Sequence, residues 1–327
     1  MAINKLIRFA TGCVLMAMST ITMTGNEARS DEYPSRPIEV VVPFSPGGTS
    51  DLSARYLADK WSEFLGQPVY VVNKPGAGSA LGAKLVSEAE PDGYTLMLGS
   101  ESPLLVVRIL QSQVDYELDD FDLLYAYAKG SVYFAVKKDA RWASLDEFIE
   151  EARQRPGELT YGTHGVGSLS HFIGEILWRE AGVEVAHIPF KSSAEENAAL
   201  IGGHLDLGIP PSLGSLGDSG EIRLLANTGD ERAIKAPDVP TLKELGYDAS
   251  LKYHSILVGP DGLPEDVKTK LIEAHKQAYD KYGDELDESL IQLELTPNYL
   301  TGDQAREAIE SAEGWMRPLA DKLGLTQ

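Results

Sequence analysis

Two α/β lobes, each a mostly parallel sheet flanked by helices, are what the apolar patterns along this chain predict. Three observations carry that reading. A strand-turn-helix pattern is written twice in succession, at Ile38–Asp51 and Pro68–Gly82. Strand and helix patterns go on alternating, and parallel strands need such long crossover connections. The alternation then restarts after Val132–Val136, as a second sheet would, and 327 residues suffice for both.

Taken in order, Val40–Phe44 is an apolar run that reads as a buried strand. Asp51–Leu65 puts Leu57, Trp61, Phe64 and Leu65 on one helical face. Val69–Val72 is a strand, Ser79–Ala89 a short helix, and Tyr94–Leu98 a third strand after the turn Pro91-Asp92-Gly93. Beyond Val132–Val136, Leu145–Gln154 is a helix and Leu159–Tyr161 a short strand. Ser168–Ala181 is a helix with Phe172, Ile176 and Leu177 apolar, and Val183–Phe190 a strand. Ser192 and Glu195 form a capping box that opens a helix to Ile201. Leu205–Ile209 and Ile222–Ala226 are strands, and Tyr253–Val258 is a strand returning to the first sheet. Helices Pro264–Tyr282 and Thr301–Leu323 follow, the second opened by Thr301 with Gln304. The expected lobes are 31–134 plus 254–327, and 135–253, joined by paired strand-like segments that act as a hinge.

Composition narrows the function. The net charge of −21 keeps the chain apart from nucleic acid and anionic membrane surfaces. Lys5 and Arg8 before the short apolar run Ala10–Met23, with Ala28-Arg29-Ser30 beyond it, read as a signal peptide over 1–30 cleaved near Ser30, hence an exported protein. Cys13, the single cysteine, lies inside that segment, and the residues around it fit a lipoprotein box poorly. No later apolar run is long enough to span a membrane.

Ligands of open α/β sheets gather at the carboxyl ends of the strands. Here those ends carry Phe44-Ser45-Pro46-Gly47-Gly48-Thr49, Gly76-Ala77-Gly78 and Ser100 in the first half. In the second half they carry Thr163-His164-Gly165-Val166-Gly167-Ser168, Phe190-Lys191-Ser192 and Pro210. Glycines admit close backbone approach, and helix N-termini add partial positive charge, so the two first-half turns read as a pincer for an anion. Lys191 is the best-placed cation of the second half, and His164 and His254 are candidate donors. Asp51 reads as a cap or a brace for its glycine turn, because a carboxylate aimed at an anion would repel it. Other chemistries fit less well. Gly76-x-Gly78 is preceded by Lys-Pro and lacks an acidic ribose partner, G-x-S-x-G is absent, and the six histidines form no H-x-x-x-H pair. Neither a cofactor nor a metal is expected, nor is catalysis.

An ordered set of segments then resembles the substrate-binding proteins of tripartite tricarboxylate transporters, the TctC or Bug family. The set comprises Tyr33–Ile38, Val42–Asp51, Leu65–Val69, Asn73–Gly78, Pro91–Leu96, Pro156–Tyr161, Gly165–Ser168 with His171, and Pro237–Leu242. The resemblance runs from Tyr33 to about Leu325. It implies a periplasmic clamshell, monomeric, that takes a small di-, tri- or aromatic carboxylate between two lobes and passes it to a membrane permease. It also implies that loops at Phe44–Thr49 and Gly76–Gly78 grip one carboxylate while His164–Ser168 and Phe190–Ser192 close from the other lobe. The chain departs from the family pattern at Ile209-Pro210-Pro211, Phe190-Lys191-Ser192, Thr163-His164 and Lys252-Tyr253-His254, which points to an unusual distal pocket. The competing expectations are a ligand-presenting sensor partner and an exported enzyme acting on a carboxylate.

Overall fold

The computed structural model describes residues 32–210, 219–247 and 251–326. The proposed signal peptide and its cleavage site lie outside the described residues. The chain divides after Tyr33, and every element below belongs to the unit Pro34–Gln327.

Two sheets form. Strand β1 (Ile38–Val42) is fully buried apart from Glu39, which explains its continuous β-branched run. It pairs in parallel with β2 (Val69–Asn73) and β3 (Thr95–Gly99). The crossovers are helix α1 (Thr49–Leu65) and the short α2 (Ala80–Ser87). After β3 a π-type turn, Ser102–Val106, runs into α3 (Val107–Leu110). Strand β4 (Phe121–Ser131) continues past Val132 alone into β5 (Tyr133–Lys137), which belongs to the second sheet.

The second sheet adds β6 (Thr160–Thr163), β7 (Ala186–Pro189), β8 (Leu207–Gly208) and β9 (Ile222–Asn227). Its helices are α4 (Leu145–Gln154), α5 (Leu169–Glu180) and α6 (Ser193–Ile201). The chain then returns through β10 (Lys252–Pro260), α7 (Glu265–Gln292), β11 (Thr296–Thr301) and α8 (Gly302–Leu323).

Strand order is β11-β4-β10-β3-β1-β2 in the first sheet and β7-β6-β8-β5-β9 in the second. Both sheets are mixed. In the first sheet β10 and β4 each run antiparallel to both neighbours, with β11 as the edge, and in the second sheet β5 does the same. The returning strand is thus where the pattern placed it, while β4, β11 and the 102–110 helical segment are additions. Helix α7 also runs on beyond Tyr282, whose φ of −125° marks a kink instead of an end.

The two passages between sheets lie side by side. The Val132 N–H donates to Thr228 Oγ1 at 3.1 Å, the Thr228 N–H donates to the Val132 carbonyl at 3.0 Å, and the Leu251 N–H donates to the Thr228 carbonyl at 2.8 Å. Gly130 faces Tyr253 so closely that a Cβ there would sit 2.4 Å from the ring, which requires glycine at this crossing. Beside it lies a buried hydrogen-bonded pair, His254 Nδ1 to Glu101 Oε1 at 2.7 Å, with the His254 backbone N–H donating to Glu101 Oε2 at 2.7 Å. His254 is therefore committed to a carboxylate of its own chain at the passage between sheets.

Candidate functional site

At the end of β1 the chain turns through Pro43–Gly48 into α1. Asp51, in the first turn of α1, is buried and braces that loop. One oxygen accepts from the Gly47 N–H at 2.8 Å. The other accepts from Asn73 Nδ2 at 2.9 Å and pairs with Arg55 at 2.9 Å. Asn73 Nδ2 also donates to the Phe44 carbonyl at 3.1 Å, so one amide ties both ends of the turn. Burial alone would raise the Asp51 pKa. The Arg55 guanidinium, the Gly47 N–H and the Asn73 amide outweigh that and hold it below 3.8. The expectation that Asp51 braces its turn is met. Helix α1 begins at Gly48, which has no side chain, and no side chain caps its first turn. A long helix thus opens on the site with its N-terminal N–H groups uncapped.

The second turn is strained. Gly76, Ala77, Gly78 and Ser79 have φ of 135°, 48°, 65° and 94° in succession. The left-handed region is costly for Ala77 and Ser79, and such strain persists only where surroundings enforce it. Here the enforcing contacts come from Ser102 and Gln111. Ser102 Oγ donates to the Gly78 carbonyl at 3.3 Å and lies 3.3 Å from Ser79 Oγ. The buried Gln111 Nε2 donates to the Ala77 carbonyl at 3.3 Å. The same Nε2 donates to the Val166 carbonyl at 3.2 Å, which belongs to the second-sheet loop. Gln111 therefore stitches the strained turn to the opposite loop. Gln111→Ala is expected to remove both bonds and weaken ligand binding about three- to tenfold by loosening that contact. Calorimetry checks this, and unchanged affinity would assign Gln111 to packing alone.

The second-sheet loop has its own support. Thr163 is fully buried, and its Oγ1 lies 2.8 Å from His187 Nε2. The His187 ring stacks on His171 at 4.2 Å, and His171 Nδ1 accepts from the Gly167 N–H at 3.3 Å. Burial pushes His187 down to about 3 and lowers His171 as well, which favours the uncharged form of both rings. Ser168 caps α5 by accepting from the His171 N–H at 3.2 Å. His164 Nδ1 is buried without a partner, and burial lowers its pKa to about 4. Ser192 caps α6 by accepting from the Glu195 N–H at 3.3 Å, while the Glu195 carboxylate reaches the Lys191 N–H at 3.2 Å. Along α6, Ser193, Ala194, Asn197, Ala198 and Ile201 form one face, and Asn197 Oδ1 is buried without a partner.

Between these walls lies a cavity of about 410 Å³. It brings together the predicted Phe44, Ser45, Pro46, Gly47, Gly48, Thr49, Ser100 and His164. An adjoining cavity of about 780 Å³ gathers Gly76, Ala77, Gly78, Gly165, Val166, Phe190, Lys191 and Ser192. Phe44, Ser45, His164 and Ser193 line both. The two glycine turns therefore face adjoining chambers and meet at Phe44–Ser45.

Five predicted residues line neither chamber. Thr163, Gly167 and Ser168 hold the loop from behind, since their polar groups or backbone are used by His187, His171 and the α5 cap. Pro210 is buried, with its carbonyl accepting from the Tyr133 N–H at 3.3 Å. His254 is held by Glu101. Residues not anticipated include Asn197, Ile201, Tyr253 and Gln111; a helical stripe of small residues after Ser192 was the available signal for the first two. Among the described residues no group of three His, Cys, Asp or Glu is placed to hold a metal, and no helix is long and apolar enough to cross a membrane.

Residues 53–325 match the model of the tripartite tricarboxylate transporter family receptor, TctC. A UPF0065 protein of Cupriavidus necator is 34% identical over 304 residues, 92% of this chain and 91% of its own length. Protein BugT of Bordetella pertussis is 36% identical over 223 residues, 67% of this chain and 68% of its own. Among solved structures, the periplasmic binding protein BugD superposes with a TM-score of 0.82 at 27% identity, over 90% of this chain and 99% of that one. An R. palustris protein with adipate gives 0.83 at 28% identity, over 90% and 99%. MatC from Rhodopseudomonas palustris with bound malate gives 0.80 at 25%, over 88% and 99%. The chain belongs to the TctC family of tripartite tricarboxylate transporter receptors.

Proposed function

We propose that this protein is a periplasmic binding protein that captures a small carboxylate in the 410 Å³ cavity and delivers it, unchanged, to a membrane permease. The observation that carries the reading is the uncapped N-terminus of α1, with Gly48, Thr49 and Ser50 lining a cavity closed from the other side by His164 and Asn197. Backbone N–H groups and serine hydroxyls there hold a carboxylate despite the acidic chain. Similarity to adipate- and malate-bound proteins supports the ligand class. The lobes are 31–134 plus 254–327, and 135–253, and closure turns about the Thr228-stitched passages. A ligand touching both walls stabilises the closed state by its differential affinity for it.

Thermal unfolding of the purified chain with a panel of carboxylates and their uncharged alcohol counterparts tests the reading. A cognate acid raises the melting temperature and is recovered intact by mass spectrometry. Absence of a shift from every acid, with the fold intact, sinks it. Lys191 is exposed and lines only the outer chamber, so Lys191→Ala is expected to cost less than about 1 kcal/mol in affinity, mostly through slower association, by stopped-flow fluorescence.

A further inference from the structure

We infer that Trp315 on α8 is a clasp for the closed cleft. It holds the first turn of α5, and with it the second-sheet loop, against the first sheet, and so sets ligand affinity without touching the ligand. The clasp rests on the carboxylate reading above, since it acts only where two walls close on a bound acid.

Helix α8 belongs to the first sheet. It packs on β4 and β11, and Ala305, Ile309, Met316 and Ala320 form its buried stripe. Trp315 lies off that stripe and is 41% exposed, whereas the other three tryptophans, Trp61, Trp142 and Trp178, are buried. Its ring meets Phe172 of α5, a helix of the second sheet, with centroids 6.4 Å apart and planes at 40°. Phe172 is fully buried, so part of its cover comes from a helix of the other sheet. The turn of α8 that presents Trp315 is itself fixed. Glu313 accepts from Arg317 Nε at 3.1 Å and pairs with Arg108 at 3.5 Å, and Arg108 Nη1 donates to the Leu104 carbonyl at 3.0 Å.

Phe172 stands directly behind the ligand-facing groups. His171, one residue before it, accepts from the Gly167 N–H, and Leu169 lines the 410 Å³ cavity. Helix α5 also packs on the Ser102–Val106 turn, and Gln111 reaches the Val166 carbonyl. The second-sheet loop and the first turn of α5 thus dock as one block on the first sheet. When that block lifts away, Gln111 and Val166 exchange their hydrogen bond for water, but Phe172 and Trp315 expose apolar surface with nothing in return. The aromatic pair therefore favours the closed state. Trp315 lines neither chamber, so its removal acts through the open–closed balance: the competent fraction falls and dissociation speeds up, while encounter with the open cleft is unchanged.

Calorimetry of the full chain with succinate, glutarate, citrate and benzoate selects the probe, the tightest binder of the four. With that acid Trp315→Ala is expected to bind about three- to tenfold more weakly, by faster dissociation at unchanged association in stopped flow. Trp315→Phe, which keeps a ring against Phe172, is expected to recover most of the loss. Circular dichroism checks that both variants fold. Because the other tryptophans are buried, acrylamide quenching of the parent protein reports on Trp315 and should fall when the acid is added. An alanine variant with parental affinity, or quenching unchanged by an acid that calorimetry shows to bind, overturns the clasp and leaves the carboxylate reading standing. Binding of none of the four acids overturns the carboxylate reading and the clasp with it.

Discussion

Replacing Asp51 by alanine is expected to lower stability by about 2–4 kcal/mol and to abolish measurable ligand binding. The carboxylate is 3% exposed and satisfies the Gly47 N–H, the Asn73 amide and Arg55 at once. Alanine removes two hydrogen bonds to a charged acceptor, at about 1–2 kcal/mol each because the exposed Gly47 N–H and the half-buried Asn73 amide partly recover with water, while the half-exposed Arg55 returns to water. The binding loss follows from the same bonds. Gly47 sits at φ of +82°, and without its brace the turn that presents Gly48 and Thr49 has no fixed geometry. Asp51→Asn should fall between, keeping one acceptor. Urea unfolding and titration calorimetry measure both effects, and an alanine variant with wild-type affinity would show that the loop holds itself. The acid limb carries a further signature. The folded pKa lies below the ordinary 3.8, so this stabilisation is present above that value and lost as pH falls through the folded one.

How far the site was legible follows from which residues form it. Turns announce themselves, because only Gly, Pro and small hydroxylic residues fit positive φ and helix starts. Hence Phe44–Thr49 and Gly76–Gly78 were readable, and so was the capping by Ser168 and Ser192. Side-chain direction was not. Thr163 and His254 sit at strand positions whose facing depends on pairing partners, and the 2.7 Å bond from Glu101, far away in sequence, draws His254 away from the cavity. Gln111 acts across the gap between sheets, which no local pattern encodes. At fold level, Ser102–Leu110 is rich in Leu and Val and gives no helical period because it is buried nearly all round. Strand β4 was hidden differently. Its partners β10 and β11 come more than a hundred residues later, so no neighbouring repeat marks it.

Glu196→Gln is expected to stabilise the protein by a few kcal/mol near pH 8 and by almost nothing near pH 5. Glu196 is fully buried on α6, one residue before Asn197. One oxygen accepts from the Ile209 N–H at 2.9 Å and the other has no partner. Burial, opposed only by that N–H, pushes its pKa from 4.5 up to about 8. Below the ordinary range the carboxyl is protonated in both folded and unfolded chains, so ionisation contributes nothing. As pH rises from there toward about 8, the unfolded chain releases a proton that the folded chain keeps, and stability falls. Glutamine keeps the acceptor for Ile209 and cannot ionise, so the gap between variant and parent should widen across that window and then level off. His164, His187 and His275, all held neutral by burial, lower stability as pH falls below the ordinary 6.5, but equally in both proteins. Denaturant midpoints of the pair from about pH 5 to about pH 9 therefore isolate the carboxyl. Because α6 carries Asn197 and Ile201 into the cavity, the parent should also lose ligand affinity above about pH 8 while the glutamine variant holds it. A pH-independent difference between the two would place the Glu196 carboxyl in contact with water and remove its link to the wall.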